Sequence, residues 1–473
     1  MSRNARDDTR SRQAQLDGAD GANAVVVGGG LAGLTAACYL ARAGQRVTLL
    51  ERAPDLGGRA ATQYVDGYTF NRGAHALYTG GAASHVLREL GVRYRAAIPR
   101  DIFGRYGDRI DRMPTSAAGL FGSRLLTWSD RLDLMRLFAR LSRVEAHSLG
   151  RTTIQEWLDA NVRRPRVRLV MDAFARTFVY SAALDLVSAD VFVDKLQRSM
   201  NHPVQYVEGG WQSLVEGLRG VAEAAGARIL TGQPVEAVLH EGGHVVGVRT
   251  RRGETIAAEA VIVATPPREA GSLVGGEDDP RLRRTMEELV PAHMACLDVA
   301  LRRLPEPGQP VILDLDGPLF LTAQSRYVRV APAGAGLIHT FKVLDPRQAT
   351  DPRQDEQELE ELLDAAQPGW RQELVRRFWL PRMAAVGGLP LARTGGFGGR
   401  PAPDAPGLQG LYLAGDWVGS EGFLADASMA SARSAASLVL AREHRAQERP
   451  VPTASKLAVS GPRSHASLGS RRH

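Results

Sequence analysis

The hydrophobic pattern begins with a short apolar strand that ends in a cluster of glycines. Apolar residues fill positions 24–27, the glycine-rich turn 28–33 follows, and small residues over 34–41 continue as a helix that Gly44 ends. Residues 46–50 return to an apolar strand, which Glu51 closes. Since this order is typical of a mononucleotide-binding βαβ unit, it predicts a dinucleotide site.

Three glycines of this turn have separate physical roles. Gly28 permits the tight turn, Gly30 lets the backbone approach the phosphates, and Gly33 lets the helix pack close to the strand. The helix N-terminus offers free N–H groups and a partial positive charge to the pyrophosphate. Glu51 is expected to bind the adenosine ribose hydroxyls, which favours FAD or NAD over NADP. The alternative interpretation is a βαβ turn without a ligand.

The rest of the pattern alternates between two kinds of structure. Helices are predicted over 129–146, over 152–161 with Thr152 as N-cap, and over 166–179. Alternating strands are predicted over 295–301, 311–315 and 337–343, with one acidic helix near 355–366. Nucleotide-type segments return as a helix over 212–225, a buried strand over 260–267, and a strand and small-residue helix over 410–440.

This order predicts an α/β fold in which a Rossmann-like dinucleotide-binding domain is interleaved with an α+β substrate domain. The substrate domain is expected to contain an antiparallel sheet and a helical cap. The binding domain is assigned to 24–100, 202–270 and 394–440, and the substrate domain to 101–201 and 271–393. Residues 1–23 and 441–473 lack hydrophobic periodicity and are predicted to be disordered tails.

Charge and cysteine content narrow the function classes. The formal net charge is +7, but seven Arg/Lys and only two Glu follow residue 441, so most of the excess lies in a basic tail. A nucleic-acid role is therefore not expected. Cys38 and Cys296 form no disulfide framework and no metal-type spacing, which favours a cytoplasmic protein without a metal site.

The segment 129–146 leaves two interpretations open. Leu134, Leu137 and Leu141 fall on one helical face, while Arg136 and Arg140 fall on the other. A basic amphipathic helix of this kind binds a membrane surface, which would make the protein membrane-associated. The same pattern fits a helix packed over a substrate cavity with a solvated back, and this second interpretation is favoured.

Four motifs in order resemble the FAD-dependent amine oxidase, phytoene desaturase and protoporphyrinogen oxidase superfamily. They are the 28–51 fingerprint, Asp55-Leu56-Gly57-Gly58-Arg59, the strand 261–267 and the segment 411–416, and the resemblance covers 24–436. Segments 57–62, 66–70, 73–77 and 87–92 are most similar to the phytoene desaturase-like branch.

The resemblance implies a noncovalently bound FAD, since the C-terminal motif lacks a cysteine for a thioether link. It implies that Arg59 binds a phosphate or ribityl oxygen, that Val235 meets the adenine through its backbone, and that Asp416 binds the ribityl chain. The helix after Asp416 is expected to aim its N-terminus at the flavin O2 side. The complete set of predicted cofactor-binding residues is Gly28, Gly30, Leu31, Ala32, Gly33, Glu51, Arg52, Gly57, Gly58, Arg59, Ala74, His75, Val235, Ala264, Gly415, Asp416, Ala427 and Ser428.

The resemblance implies hydride removal from a carbon of a largely apolar small molecule. His75 is the candidate catalytic residue beside the isoalloxazine, although a histidine there more often orders the backbone or a flavin edge. A flavin amine oxidase is the first alternative, weakened because the position matched with a family lysine is Leu297. A non-catalytic binding protein of the GDP-dissociation-inhibitor type is the second. Substrate identity, electron acceptor and oligomeric state stay open.

Overall fold

The computed structural model describes residues 22–115, 117–274, 280–405 and 407–447. The strands in that part of the chain are β1 (Ala22–Val27), β2 (Val47–Leu50), β3 (Thr62–Val65), β4 (Tyr68–Asn71), β5 (Leu77–Tyr78), β6 (Ala96–Ala97), β7 (Ile102–Tyr106), β8 (Arg109–Arg112), β9 (Val204–Val207), β10 (Arg228–Leu230), β11 (Val235–Glu241), β12 (His244–Thr250), β13 (Thr255–Val263), β14 (Ala292–Leu301), β15 (Val311–Asp314), β16 (Leu319–Thr322), β17 (Gly336–Val343), β18 (Leu374–Val386) and β19 (Leu411–Leu413).

The α-helices of the same residues are α1 (Leu31–Arg42), α2 (Ala82–Glu89), α3 (Ala117–Gly122), α4 (Trp128–Leu141), α5 (Ile154–Asn161), α6 (Pro165–Val179), α7 (Ala189–Asn201), α8 (Gln212–Ala224), α9 (Pro267–Leu273), α10 (Pro280–Glu288), α11 (Pro352–Ala366) and α12 (Ala425–Gln447). Of the predicted tails, the parts before residue 22 and after residue 447 lie outside the described residues. Strand β1 begins two residues before the expected boundary, and α12 extends seven residues beyond residue 440.

One sheet carries the predicted dinucleotide-binding segments. Strands β10-β2-β1-β13-β19 are parallel neighbours, and β12 and β11 extend the sheet through antiparallel pairing with the first part of β13. Helices α1, α8 and α12 pack against one face through a core that includes Leu34, Leu218 and Ala432. The carboxyl ends of β1, β2 and β13 therefore meet at one edge, where ligands bind in open α/β sheets.

A second seven-stranded sheet, in the order β18-β14-β17-β16-β15-β7-β8, is built from segments predicted for the substrate domain. All its pairs are antiparallel except β15 with β7. One face packs against helices α4 to α7 through Met294, Phe341 and Phe192, and the opposite face packs against α11 through Leu297 and Leu363. Because both faces are covered, β14 is buried along nearly its whole length.

Several local expectations differ from the structure. Helix α4 ends at Leu141, and a separate 3-10 turn spans Ala146–Leu149, so the helix predicted to reach 146 is interrupted. The N-cap of α5 is Thr153 and not Thr152, because the Thr153 side chain and Glu156 form a reciprocal capping box. Cys38 and Cys296 are both free and buried.

Candidate functional site

A cavity of about 1000 Å³ runs from the edge of the parallel sheet into the space under the second sheet. Every predicted cofactor-binding residue lines this cavity except Gly33 and Ala427, which are buried behind it. The structure therefore brings together motifs that are separated by up to four hundred residues of sequence. Residues from both domains close the cavity, so the site depends on the interleaved order of the chain.

The glycines of the turn between β1 and α1 differ in how much space surrounds them. A Cβ on Gly28 would lie 2.6 Å from the Ala264 carbonyl oxygen, and a Cβ on Gly33 would lie 1.8 Å from the Gly28 carbonyl oxygen. A Cβ on Gly30 would have only the Gly57 oxygen within 4 Å, at 3.9 Å. Gly28 and Gly33 are thus required by packing, whereas Gly30 leaves space open to the cavity. No side chain caps the first turn of α1. The first N–H groups of this helix are therefore available to a ligand in the cavity.

Glu51 lies at the carboxyl end of β2 and has two backbone partners. Its Oε2 accepts a 2.6 Å hydrogen bond from the Gly29 N–H, and its Oε1 accepts a 2.8 Å bond from the Ala53 N–H. The carboxylate therefore holds the glycine turn in place in addition to facing the cavity. Neighbouring Arg52 lies on the rim, where it forms an exposed ion pair with Glu269.

Arg59 and Asp416 form a bidentate ion pair across the cavity wall. The two guanidinium nitrogens donate to the two carboxylate oxygens at 2.7 and 2.6 Å, and the Gly387 N–H donates to Asp416 at 2.8 Å. Asp416 is 1% exposed. Burial alone would raise the pKa of Asp416, but the Arg59 guanidinium outweighs burial and holds that pKa below its usual value. The sequence resemblance implied that both residues bind the cofactor and did not predict that they bind each other.

His75 lies on the cavity wall with both ring nitrogens near backbone oxygens. Nδ1 is 2.9 Å from the Gly73 oxygen and Nε2 is 3.1 Å from the Arg59 oxygen. The ring edge packs against Trp211 with centroids 4.9 Å apart. Burial lowers the pKa of His75, so the imidazole is neutral near pH 7. This arrangement favours a role in ordering the backbone around Arg59, and proton transfer by His75 stays a prediction.

The end of the cavity under the second sheet is lined by residues that the sequence analysis did not identify. They are largely apolar or aromatic: Tyr78, Tyr180, Met294, Met383, Phe423 and Leu424. Leu297, matched with the family lysine, packs on the opposite face of its sheet beside α11 and does not line the cavity. The residue of β14 that reaches the cavity is Met294. No lysine is found among the lining residues of the described chain.

The N-terminal turn of α12 borders the same end of the cavity. Ser428 lines the cavity, while its hydroxyl donates to the Leu424 oxygen at 3.0 Å. Among the described residues, no cluster of His, Cys, Asp and Glu fits a metal ion. Helices long and apolar enough to cross a membrane are likewise absent from that part of the chain.

Comparison with known proteins places this arrangement among flavoproteins. The family profile described as flavin containing amine oxidoreductase matches residues 31–440. The chain is 24% identical over 294 residues to a probable flavin-containing monoamine oxidase A of Dictyostelium discoideum, covering 56% of this chain and 62% of that protein. It is 27% identical over 287 residues to a carotenoid 3,4-desaturase of Haloarcula japonica, covering 51% of this chain and 55% of that protein. The match thus spans less than two thirds of either relative.

Solved structures share the fold. An oxidoreductase from Methanosarcina mazei superposes with a TM-score of 0.69 and 21% identity, covering 87% of this chain and 99% of that chain. The donor set of the cavity fits an adenine dinucleotide with an unphosphorylated ribose, and the family match identifies that dinucleotide as FAD. Gly30 leaves room for the phosphates, the uncapped α1 N-terminus offers N–H donors, and Glu51 supplies a carboxylate about twenty residues later.

Proposed function

Because the chain belongs to the flavin containing amine oxidoreductase family, we propose that it is an FAD-dependent oxidoreductase that removes a hydride from a carbon of a largely apolar small molecule. The observation that carries this proposal is the composition of the cavity beyond the glycine turn. Its far end is walled by methionine, leucine and aromatic side chains. The chemistry that FAD supplies when bound is acceptance of a hydride from a substrate carbon.

The chain's own residues hold and orient the reactants. Gly30 and the N-terminus of α1 would hold the pyrophosphate, and Glu51 the ribose hydroxyls. The first turn of α12, from Ala425 to Ser428, borders the cavity, where its partial positive charge favours negative charge on a bound group. His75 fixes the Arg59 backbone, and Arg59 in turn is held by Asp416.

A desaturase-like reaction is favoured over amine oxidation by the absence of a lysine from the described cavity lining. The carotenoid 3,4-desaturase relative acts, by its name, on an apolar polyene, and the monoamine oxidase relative acts on amines. One observation favours amine oxidation, because Asp426 places a carboxylate in the same cavity lining as Tyr78 and Phe423. These two reaction classes need different substrates, so one experiment separates them.

The test is anaerobic bleaching of the bound flavin across a substrate panel. Linear carotenoids are expected to reduce the flavin, and small cationic amines are not. Reduction by amines alone would replace the proposal with amine oxidation. Flavin that binds but is reduced by no member of the panel, while dithionite reduces it, would favour the non-catalytic alternative.

We also propose that the segment from α3 to α4 contacts an anionic membrane surface from which an apolar substrate is taken. Phe121 and Trp128 are 56% and 71% exposed and their rings lie 6.1 Å apart, and Leu132 and Met135 continue the exposed apolar stripe. Arg124 and Arg136 are exposed beside it. Exposed aromatic residues next to arginines are the composition of interfacial helices. Flotation with phosphatidylglycerol vesicles should be lost in Trp128→Ser; equal flotation of parent and variant would contradict the contact.

A further inference from the structure

Lys195, on α7, lies one layer behind the cavity wall and has no hydrogen-bond acceptor. Its side chain is buried, at 4% exposure for the residue, and its Nζ has no polar partner. The Nζ lies 3.6 Å from the centroid of the Tyr78 ring and 5.2 Å from the centroid of the Phe423 ring. Both rings line the cavity. The amine therefore contacts the site through two aromatic faces.

A buried lysine in this position is costly and calls for a physical reason. Lysine is almost never buried without an ionic partner. The charged and titratable groups around it are Asp426 from α12, Asp194 and Arg198 from its own helix, and Tyr78 from β5. Asp194 is held by Arg198 at 2.8 Å, and an Asp426 oxygen accepts the Ala83 N–H at 2.8 Å. Burial lowers the pKa of Lys195 to about 7, with Asp426 opposing the shift.

The wall in front of Lys195 is polar and conformationally constrained. Burial raises the pKa of both phenols, and the two side chains are near enough to influence each other, since Tyr78 raises the pKa of Tyr180 further and Tyr180 lowers that of Tyr78. Tyr180 and Leu424 adopt left-handed backbone conformations, with φ of 55° and 56°. Non-glycine residues rarely adopt this conformation, and such strain concentrates at ligand sites. The tyrosine pair is thus a fixed polar group in a largely apolar end of the cavity, which Asp426 and Ser428 also line.

We propose that the Tyr78–Tyr180 pair binds an oxygen atom of the substrate, and that Lys195 is a positioning residue that sets the donor strength of Tyr78 through its ring face. The inference rests on the proposed function, because it assigns the substrate to this end of the cavity. It names the substrate class more closely as an apolar molecule that carries one hydroxyl or carbonyl group.

The physical basis is the interaction of a cation with an aromatic ring. An ammonium over the Tyr78 face is attracted by the ring electrons and makes the phenol a stronger hydrogen-bond donor. The neutral amine lacks this effect. Selectivity for an oxygen-bearing ligand should therefore be highest below neutral pH and should fall as Lys195 loses its proton.

The first measurement is the titration of Lys195 in the FAD-loaded protein. The chain has three lysines, Lys195, Lys342 and Lys456, so 15N-lysine labelling yields three assignable Nζ resonances. The Lys195 resonance should titrate near pH 7, and addition of farnesol should shift it. Lys342 is a matched control because it is paired with Asp355 at 2.9 Å and Glu358 at 2.7 Å. A Lys195 resonance that titrates above pH 9 and ignores farnesol would overturn the proposal.

The second measurement compares farnesol with the hydrocarbon farnesene, which lacks its hydroxyl group. Binding to the holoprotein is followed by flavin fluorescence at pH 6 and pH 8.5. The parent should prefer farnesol by about fivefold at pH 6 and less at pH 8.5. Tyr78→Phe should remove the preference for farnesol. Lys195→Met should show the weaker pH 8.5 preference of the parent at both pH values, and Lys195→Arg should show the stronger pH 6 preference at both. Lys342→Met should behave as the parent.

The outcomes distinguish this inference from the proposed function. Equal binding of the two probes by the parent, unchanged in Lys195→Met, overturns the role of Lys195 and leaves an apolar-substrate oxidoreductase standing. Failure of both probes to bind, together with flavin reduction by amines, overturns the proposed function itself. Lys195→Gln, which is neutral like Lys195→Met, provides a second neutral variant if Lys195→Met does not fold.

Discussion

Arg59 and Asp416 are joined by two hydrogen bonds although 357 positions separate them in sequence. The pair connects the segment after β2 to the segment after β19, and both residues line the cavity. Planar guanidinium and carboxylate groups match each other in this geometry, so the pair is specific as well as stabilising. An ammonium offers no equivalent fork, which makes this a site where lysine does not substitute for arginine.

Breaking this pair should destabilise the protein. Arg59→Ala leaves the buried Asp416 carboxylate with backbone N–H donors alone, among them that of Gly387, and we expect a loss of roughly 1–3 kcal/mol in the free energy of unfolding. Arg59→Lys should recover only part of it. The double variant Arg59→Ala/Asp416→Asn should lose less than the sum of the single variants. Additive losses in urea unfolding would show that the two side chains do not interact.

The same pair predicts an acid dependence. The pKa of Asp416 is lower in the folded protein than in the unfolded chain. The ionised carboxylate therefore contributes fully to the free energy of unfolding above the unfolded pKa of about 3.9, and this contribution is lost as the pH falls through the lower folded value. Thermal unfolding should therefore show an Asp416 contribution that disappears below pH 4. Asp416→Asn should flatten the dependence in that range, and an unchanged profile would contradict the assignment.

Two glycines of one turn should respond in opposite ways to the same substitution. Gly33→Ala places a Cβ 1.8 Å from a backbone oxygen and should impair folding. Gly30 has φ −80° and ψ −175°, which any residue adopts, and its Cβ position is open. Gly30→Ala should therefore fold normally but lose bound FAD. Circular dichroism melts and flavin content measure both effects, and a flavin-replete Gly30→Ala would place the phosphates elsewhere.

Glu51→Ala should reduce both cofactor retention and stability. The carboxylate binds the Gly29 and Ala53 N–H groups, so its removal loosens the glycine turn as well as the ribose site. Loss of charge-assisted bonds of roughly 1.5–3 kcal/mol corresponds to a ten- to hundredfold weaker affinity for FAD. Glu223→Ala, which removes an exposed ion pair with Arg219 outside the cavity lining, is the matched control. Unaltered FAD affinity in Glu51→Ala would exclude Glu51 from the ribose site.

Lys195→Met should stabilise the protein. Its folded pKa, about 7, lies below the unfolded value, so unfolding takes up a proton between pH 7 and about 10.4 and stability rises with pH in that window. The methionine variant removes this penalty and should be more stable by ~1–4 kcal/mol below pH 7. Its advantage should shrink toward pH 10, and a pH-independent difference would contradict a buried titrating amine.

FAD should leave the protein on acid precipitation. Neither cysteine lines the cavity, and His75, the histidine that does, has both ring nitrogens at backbone oxygens. The supernatant should therefore hold all the flavin. Flavin retained in the pellet would point to a covalent bond, and its loss in His75→Ala would locate that bond.

The parts of the fold with a strong hydrophobic period were predictable. Strands β1 and β13 and helices α6 and α8 follow apolar runs or helical stripes in the sequence. Strand β18 was not predicted, because its segment carries arginines and a proline. It forms the edge of the second sheet, where one side is unpaired and such residues are tolerated.

The cofactor end of the site was predictable and the substrate end was not. Glycine turns and the acid after β2 have a fixed spacing that the sequence displays directly. Tyr78, Tyr180 and Phe423 come from three distant segments, and the left-handed conformation of Tyr180 is not encoded by its residue type. Lys195 has the spacing of an ordinary solvated helix residue, so only the packing of α7 reveals that it is buried.

The position of β19 has a consequence for synthesis of the protein on the ribosome. The parallel sheet is completed by a strand and a helix that lie after residue 410, whereas its central strand is β1. Asp416 and the N-terminus of α12 are therefore missing from the cavity until most of the chain has emerged. During translation β1 is made first, and the elements that enclose the cofactor are made almost last. Cofactor binding is therefore expected to be a late event in the biogenesis of the protein.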